Sequence, residues 1–120
     1  MAAAAKTILI VDDHPSFRTI ARLVLEAEGF VVVGDANSGE TGIEEIVRLQ
    51  PDVALLDIGL PDIDGFEVAA RLRAANIRST IVFTSTRDAA DFGPEIEDSG
   101  ARGFIAKADL SGDALRALVA

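Results

Sequence analysis

The hydrophobic positions of this chain alternate between two kinds of spacing. Short, nearly continuous apolar runs typical of buried strands occupy residues 7–11, 30–34, 53–57, 80–84 and 103–107. Between them, apolar residues recur at helical spacing, as in Phe17, Ile20 and Val24, and Gly29 ends that first helix. Further helices are predicted over residues 39–49, around residues 66–72, and from Ser111, a plausible N-cap. Strands alternating with helices predict an α/β fold with a parallel sheet covered on both faces, a three-layer sandwich.

The fourth helical segment departs from this regular pattern. Its sequence, "DAADFGPEIEDSG", places Gly93 and Pro94 in the middle. Proline lacks the N–H donor that a helix interior needs, and glycine favours helix ends. We therefore expect a break there, with Pro94 starting a short helix that ends near Gly100.

Size and composition restrict the class of protein. A length of 120 residues predicts one domain, here residues 6–120, after an alanine-rich leader at residues 1–5 that we expect to be disordered. A net charge of −9 argues against direct nucleic-acid binding. The absence of cysteine excludes disulfides and thiolate zinc sites and is compatible with a cytoplasmic location. No stretch approaches the ~20 apolar residues of a membrane span.

Polar side chains follow the predicted strands at one edge of the sheet. Asp12 and Asp13 follow the first strand, Asp57 ends the third, Thr84 ends the fourth and Lys107 ends the fifth. Ligands of open α/β sheets bind outside the carboxyl ends of the strands. We therefore expect three carboxylates, a hydroxyl and an ammonium to converge there.

The three carboxylates need a compensating partner. Two unit charges about 4 Å apart repel by roughly 4 kcal/mol at an effective dielectric of 20. A raised pKa, a lysine or a divalent cation would each relieve this, and oxygen-only ligands favour Mg²⁺. Taken singly, Asp12 and Asp13 also suit a helix N-terminus, Thr84 an ordinary strand position and Lys107 a solvated surface. The combination and order of all five residues favour a functional site.

Four segments together resemble a known family. "ILIVDDHPSFR", "VALLDIGLPDIDGFEV", "IVFTS" and "GARGFIAK" closely resemble the receiver domain of bacterial two-component response regulators. The likeness spans about residues 6–119 and is strongest to the subfamily that often carries a helix-turn-helix output domain. It implies a flavodoxin-like, doubly wound sheet with strand order 2-1-3-4-5.

The resemblance also implies a phosphoacceptor and a metal site. Asp57 would accept a phosphoryl group from a sensor histidine kinase or a phosphotransfer protein. Asp13 and Asp57 would bind Mg²⁺ through their carboxylates and Gly59 through its backbone carbonyl, while Asp12 would act mainly through a coordinated water. An ionised carboxylate needs no general base to act as a nucleophile.

The same resemblance assigns the phosphoryl-binding and switch residues. Lys107 would neutralise one phosphoryl oxygen, and Thr84 would donate a hydrogen bond to another. Phe104 occupies the place of the family's switch aromatic, although plain core packing explains it about equally well. Gly59 and Thr86 lie at variable positions that influence phosphoryl lifetime, and neither supplies a group that orients water, which predicts slow self-dephosphorylation.

Three classes of function remain in view. The leading one is a phosphorylation-activated switch, not an enzyme, whose changed surface is recognised by a downstream protein or output domain; a homodimer is compatible with it. A phosphate-independent pseudo-receiver is the alternative, kept open by the altered fourth helix. An aspartyl phosphatase would require an acid two residues after the nucleophile, where this chain has Gly59. We expect no membrane partner.

Overall fold

A computed structural model of the chain describes residues 5–119. It contains a five-stranded sheet whose neighbouring strands are all parallel and lie in the order β2-β1-β3-β4-β5. This confirms the predicted doubly wound topology. The strands are β1 (Thr7–Val11), β2 (Val31–Ala36), β3 (Val53–Asp57), β4 (Thr80–Ser85) and β5 (Gly103–Ala106).

The helices alternate with these strands, and local sequence signals explain their starts. They are α1 (Pro15–Ala27), α2 (Gly39–Leu49), α3 (Gly65–Ala74), α4 (Glu95–Asp98) and α5 (Gly112–Val119). Ser38, Asp64 and Ser111 each precede a helix, and each side chain accepts a hydrogen bond from a backbone N–H in the first turn. The predicted capping role of Ser111 is therefore confirmed.

The core forms two apolar layers, one on each face of the sheet. Alternate residues of β1 supply both: Leu9 and Val11 join the layer under α2 and α3, whereas Ile8 and Ile10 join the layer under α1 and α5. Strands that are buried on both faces need apolar residues at every position, which is why β1 and β3 show continuous apolar runs. The predicted three-layer sandwich is confirmed.

Three strands differ in their bounds from the prediction, and one of them, β4, runs one residue further, to Ser85. β2 covers Val31–Ala36 instead of residues 30–34, because Asp35 and Ala36 pair with the end of β1 while Phe30 packs in the core. β5 ends at Ala106, and Lys107 begins a 3₁₀ turn, Lys107–Asp109.

The predicted break in the fourth helical segment is confirmed. A 3₁₀ turn, Ala89–Phe92, ends at Gly93, whose φ of 59° lies in the left-handed region that glycine tolerates. Pro94 then takes a helical backbone conformation directly before α4. Only Ile96 of this short helix is buried, so α4 is held to the core by little apolar contact.

Two further observations concern the remaining expectations about the chain. None of the helices between residues 5 and 119 is long and apolar enough to cross a bilayer. The predicted leader, residues 1–5, lies almost wholly outside the described residues.

Candidate functional site

The carboxyl ends of β1, β3 and β5 bring four of the predicted side chains together. Asp12 and Asp13 directly follow β1, Asp57 is the last residue of β3, and Lys107 directly follows β5. Asp12 is fully buried and Asp57 is 4% exposed, whereas Asp13 is partly open to solvent. The site lies beside the point where the chain reverses strand order, between β1 and β3.

Lys107 bridges two of the carboxylates. Its Nζ lies 2.6 Å from Asp12 Oδ2 and 3.4 Å from Asp57 Oδ2. The contact with Asp57 has hydrogen-bond geometry, whereas the shorter contact with Asp12 is an ion pair without that alignment. The ammonium also lies 4.7 Å from the centre of the Phe17 ring, which orients the side chain by a cation–π contact.

Burial and charge act in opposite directions on Asp57. Burial raises the pKa of its carboxyl above the ordinary value, and the neighbouring Asp12 charge raises it further. Lys107 opposes this rise, as does the Gly59 N–H, which donates to Asp57 Oδ1 at 3.1 Å. A further cation beside Asp57 would favour its ionised form.

The oxygen atoms of the site suit a hard divalent cation. Asp12 Oδ2 and Asp13 Oδ1 are buried atoms without a hydrogen-bond partner among the described residues. The ion pair with Lys107 at 2.6 Å compensates Asp12 Oδ2 in part, and a buried carboxylate oxygen without a hydrogen bond is costly unless a cation compensates it. Ligand atoms from Asp12, Asp13 and Asp57 lie within 4.8 Å of one another, so the residues present fit Mg²⁺.

His14 also belongs to this cluster, although the sequence analysis did not single it out. Its backbone N–H donates to Asp12 Oδ1 at 2.8 Å, and its ring Nδ1 lies 3.0 Å from the same oxygen. Nδ1 is also 3.2 Å from Asp13 Oδ1 and 3.4 Å from Lys107 Nζ. The position of His14 directly after two aspartates was the available signal.

The segment after Asp57 is held in place by backbone contacts. The Gly65 N–H donates to the Ile58 carbonyl at 2.8 Å, and the Ile58 N–H donates to the Thr84 carbonyl at 3.0 Å. A Cβ on Gly65 would lie only 2.7 Å from the Asp57 carbonyl oxygen. Glycine is therefore required where α3 begins against the end of β3.

Asp62 ties the same segment to α2. Its two carboxylate oxygens accept hydrogen bonds from the Gly39 and Glu40 N–H groups, at 2.7 and 2.8 Å. These bonds lower the pKa of Asp62 to about 2. The contact spans 23 residues of sequence and was not predicted.

Thr84 and Phe104 lie on the neighbouring strands. Thr84 is buried and pairs in register with Asp57, so its backbone is directly beside the acceptor position. Phe104 is partly buried, and its ring lies 6.1 Å from the ring of Phe92. Phe66 continues this aromatic contact, 6.0 Å from Phe92 and 5.0 Å from Phe83.

The chain is similar to known proteins over nearly its whole length. The sequence model of the response regulator receiver domain matches residues 8–120. A Pseudomonas aeruginosa protein described as a putative transcriptional regulator is 41% identical over 100 residues, which cover 83% of this chain and 48% of that protein. The nitrate/nitrite response regulator protein NarL of Escherichia coli is 37% identical over 113 residues, covering 93% of this chain and 52% of NarL. The chain thus spans about half the length of these curated relatives.

Solved structures show the same fold. The receiver domain of a putative response regulator NarL from Mycobacterium tuberculosis superimposes with a TM-score of 0.86 at 31% identity, covering 97% of this chain and 98% of that one. A CheY-like receiver domain protein from Methanospirillum hungatei gives a TM-score of 0.82 at 26% identity, covering 95% and 90%.

Proposed function

The chain belongs to the response regulator receiver domain family of two-component signalling, and from this premise we propose that Asp57 accepts a phosphoryl group in a Mg²⁺-dependent reaction. The donor is a phosphohistidine on a sensor histidine kinase or a phosphotransfer protein. The product is a changed surface that a downstream protein or output domain recognises. The convergence of Asp12, Asp13, Asp57 and Lys107 at one sheet edge carries this proposal.

The surroundings of Asp57 support its role as the acceptor. A carboxylate that ends a buried strand, next to other acids, costs folding free energy and needs a compensating role. One Asp57 oxygen attacks phosphorus as the phosphorus–nitrogen bond of the donor breaks, and the electron pair leaves with the donor imidazole. No general base is needed, because the nucleophile carries no proton.

The cluster formed by Asp12, Asp13 and Asp57, here called the acid cluster, supports the requirement for a cation. Mg²⁺, when bound, would neutralise the charge that develops on the transferring phosphoryl oxygens. Asp12, Asp13 and Asp57 would hold it through oxygen, with the Gly59 carbonyl as a further ligand and Asp12 acting through water. The hydrogen bond from the Gly59 N–H to Asp57 keeps that residue next to the acceptor.

Lys107, Thr84 and Phe104 complete the proposed switch. The Lys107 ammonium already lies at hydrogen-bond distance from Asp57 and would pair with a phosphoryl oxygen. The Thr84 hydroxyl would donate to another oxygen, from the strand that pairs with Asp57. Phe104, on the next strand, would turn inward as Thr84 moves; its aromatic contact with Phe92 is the packing that this motion alters.

The broken α4 segment supports a second candidate, the phosphate-independent pseudo-receiver. The segment between β4 and β5 contains an α-helix of only four residues, α4, so a phosphorylation signal that used this segment would pass through an unusually short helix. The intact acid cluster and Lys107 favour the phosphorylated switch over this alternative.

We propose that residues 6–120 act as a signalling domain without direct nucleic-acid contact.

One experiment separates the two candidates. The protein is incubated with Mg²⁺ and a small acyl phosphate, and its intact mass is measured. We expect the gain of one phosphoryl group, which requires Mg²⁺ and is lost in Asp57→Asn. Asp113→Asn, which removes an exposed carboxylate on the first turn of α5, is the matched control and should retain the gain. A wild-type protein that gains no mass and binds no Mg²⁺ would support the pseudo-receiver instead.

A further inference from the structure

A cavity lies at the edge of the sheet opposite the acid cluster, where the amino ends of the parallel strands meet. It lies between the end of α3, the start of β4 and the link from α4 to β5, and its volume is about 180 Å³. Pockets for drug-sized ligands have volumes of about 300–1,000 Å³, so this cavity suits a smaller molecule. The proposed phosphoryl transfer uses none of the residues that line it.

The cavity is lined by two basic side chains and no acidic one. Arg73 comes from the last turn of α3, and Arg102 directly precedes β5. None of the ten lining residues, all within the described part of the chain, is acidic. The whole chain has 20 acidic and 11 basic side chains, so a cavity with only positive charge runs against its composition. This local charge favours an anionic ligand.

Neither arginine is neutralised by a carboxylate of the protein. Arg71, in the same turn of α3 as Arg73, forms ion pairs of 2.9 Å with two glutamates. Between residues 5 and 119, Arg73 and Arg102 form no ion pair, and Arg102 Nη1 makes one long hydrogen bond, 3.4 Å, to the Leu118 carbonyl. A guanidinium has five N–H donors, so both groups keep donors for a ligand.

The backbone of Gly100 holds the Arg73 guanidinium at the cavity wall. A Cβ on Gly100 would lie 2.8 Å from Arg73 Nη2, 3.1 Å from Cζ and 3.3 Å from Nε, so the guanidinium packs closely against this residue. Gly100 has a φ of 81°, in the region that glycine adopts readily. A guanidinium that is already held in one place loses less freedom when it binds a ligand.

The other lining residues indicate the kind of anion. The Thr80 hydroxyl has no hydrogen bond to another described residue and is a further donor, whereas Ser79 and Ser99 already donate to backbone carbonyls. The negative end of the α3 dipole faces the cavity, which disfavours a dianion such as phosphate relative to a singly charged, planar carboxylate. The rest of the wall is apolar and is formed by Ala69, Leu72, Ile77 and Ile81.

We propose that this cavity binds a small organic monocarboxylate, whose carboxylate pairs with Arg73 and Arg102 and whose apolar body packs against the apolar wall. The site is separate from the acid cluster, and the inference does not rest on phosphorylation of Asp57. A bound ligand joins α3 to residues 99–102, the link between α4 and β5. Because only Ile96 of α4 is buried, this added connection restricts the movement of a segment that the core holds weakly.

The test uses 3-methylbutanoate as the probe and the uncharged 3-methylbutanamide, which has the same shape, as its control. Each is added without Mg²⁺ to ¹⁵N-labelled protein, and the backbone and arginine N–H signals are followed by NMR. We expect saturable shifts of the Thr80, Gly100 and Arg102 backbone signals and of the Arg73 Nε–H signal with the carboxylate, and none with the amide. Inorganic phosphate, which has charge but no apolar body, should bind more weakly than the carboxylate.

Two arginine variants show whether the cavity is the binding site. Arg73→Gln should raise the Kd of 3-methylbutanoate about tenfold or more, because a charge-assisted pair is lost. Arg78→Gln is the matched control: it removes the same charge from an exposed arginine that does not line the cavity, and the Kd should stay within about twofold of wild type.

Three results would overturn the inference: no saturable shift with tens of millimolar 3-methylbutanoate, equal binding of the amide, or an Arg73→Gln variant with an unchanged Kd. Phosphate that binds as tightly as the probe would overturn the assignment to an organic carboxylate. Phosphorylation of Asp57 is measured separately by intact mass, so failure of this inference and failure of the proposed function are distinguishable.

Discussion

Replacing Gly65 with alanine should disturb the acceptor strand directly. Gly65 is the first residue of α3, and an added Cβ would lie 2.7 Å from the Asp57 carbonyl oxygen and 2.9 Å from Ile58 Cα. Both neighbours are backbone atoms, so no side chain can rotate away. The contact with the oxygen must widen to at least the 3.4 Å of ordinary van der Waals contact, which moves α3 away from the end of β3.

The expected loss of stability follows from two opposing effects. Overpacking of a closely packed site typically costs about 1–3 kcal/mol. Alanine also has less conformational entropy than glycine in the unfolded chain, and this stabilises the folded state by about 0.4–1 kcal/mol. We therefore expect Gly65→Ala to lower the free energy of unfolding by roughly 1–2 kcal/mol, which for a domain of this size lowers Tm by roughly 3–10 °C.

Gly34→Ala provides the control. Gly34 lies in β2, and its added Cβ would meet only the ends of two side chains, Leu49 Cδ1 at 3.4 Å and Leu9 Cδ1 at 3.7 Å, which are ordinary contact distances. This variant should therefore be neutral or slightly more stable than wild type. Urea unfolding followed by far-UV circular dichroism measures both, because the chain has no Trp or Tyr for fluorescence. A Gly65→Ala protein as stable as Gly34→Ala would refute the close backbone contact.

Three further predictions address single side chains, and a fourth addresses the lifetime of the phosphoryl group. The folded-state pKa of Asp62 is lowered to about 2, so its ionised form stabilises the fold at pH values above the unfolded pKa, which is near 3.8. The difference in urea midpoint between wild type and Asp62→Asn should therefore narrow as the pH falls from 5 towards 2. A constant difference would exclude that linkage. The folded-state pKa of Asp57 is raised, so ionisation of its carboxyl destabilises the folded state as the pH rises. At pH 7 without Mg²⁺, Asp57→Asn should therefore have a higher urea midpoint than wild type, and the difference between the two midpoints should be smaller below pH 4. Equal midpoints at pH 7 would contradict this. Ser111→Ala should lower the unfolding free energy by about 1 kcal/mol through the lost α5 cap, measured by the same unfolding assay, and an unchanged value would argue against the cap. Phosphorylated protein transferred to buffer without donor should keep its phosphoryl group for minutes or longer by intact mass, since Gly59 and Thr86 supply no group to orient water; loss within seconds would reject this expectation.

The sequence predicted the sheet well because its strands are buried on both faces. β1 and β3 have the predicted boundaries, since continuous apolar runs bounded by polar residues mark both ends. The edge strand β2 was predicted less accurately: Asp35 is an exposed polar residue that pairs with Ile10, and its side chain carries no strand signal. The end of β2 is set by backbone pairing of Asp35 and Ala36 with β1, which the side-chain pattern of β2 does not show.

The candidate site was predictable only to the level of strand ends. The placement of Asp12, Asp57 and Lys107 follows from parallel strands that end at one edge, and the side chains meet as expected. His14 and the Asp62 contact with α2 were missed, because a turn conformation and a contact across 23 residues of sequence leave no periodic pattern.

The electrostatics of the site explain why a cation-dependent switch is a reasonable use of this fold. In the structure, the single ammonium of Lys107 is shared between Asp12 and Asp57, while Asp13 contacts the ring of His14. Three carboxylates are thus compensated by one full positive charge, and burial still raises the pKa of Asp57. A divalent cation would make up the deficit and release Lys107 to pair with an incoming phosphoryl oxygen. On the proposed function, the acceptor would become reactive only when metal and donor are both present, because neither the lysine nor the metal alone would neutralise the carboxylates and the phosphoryl group together.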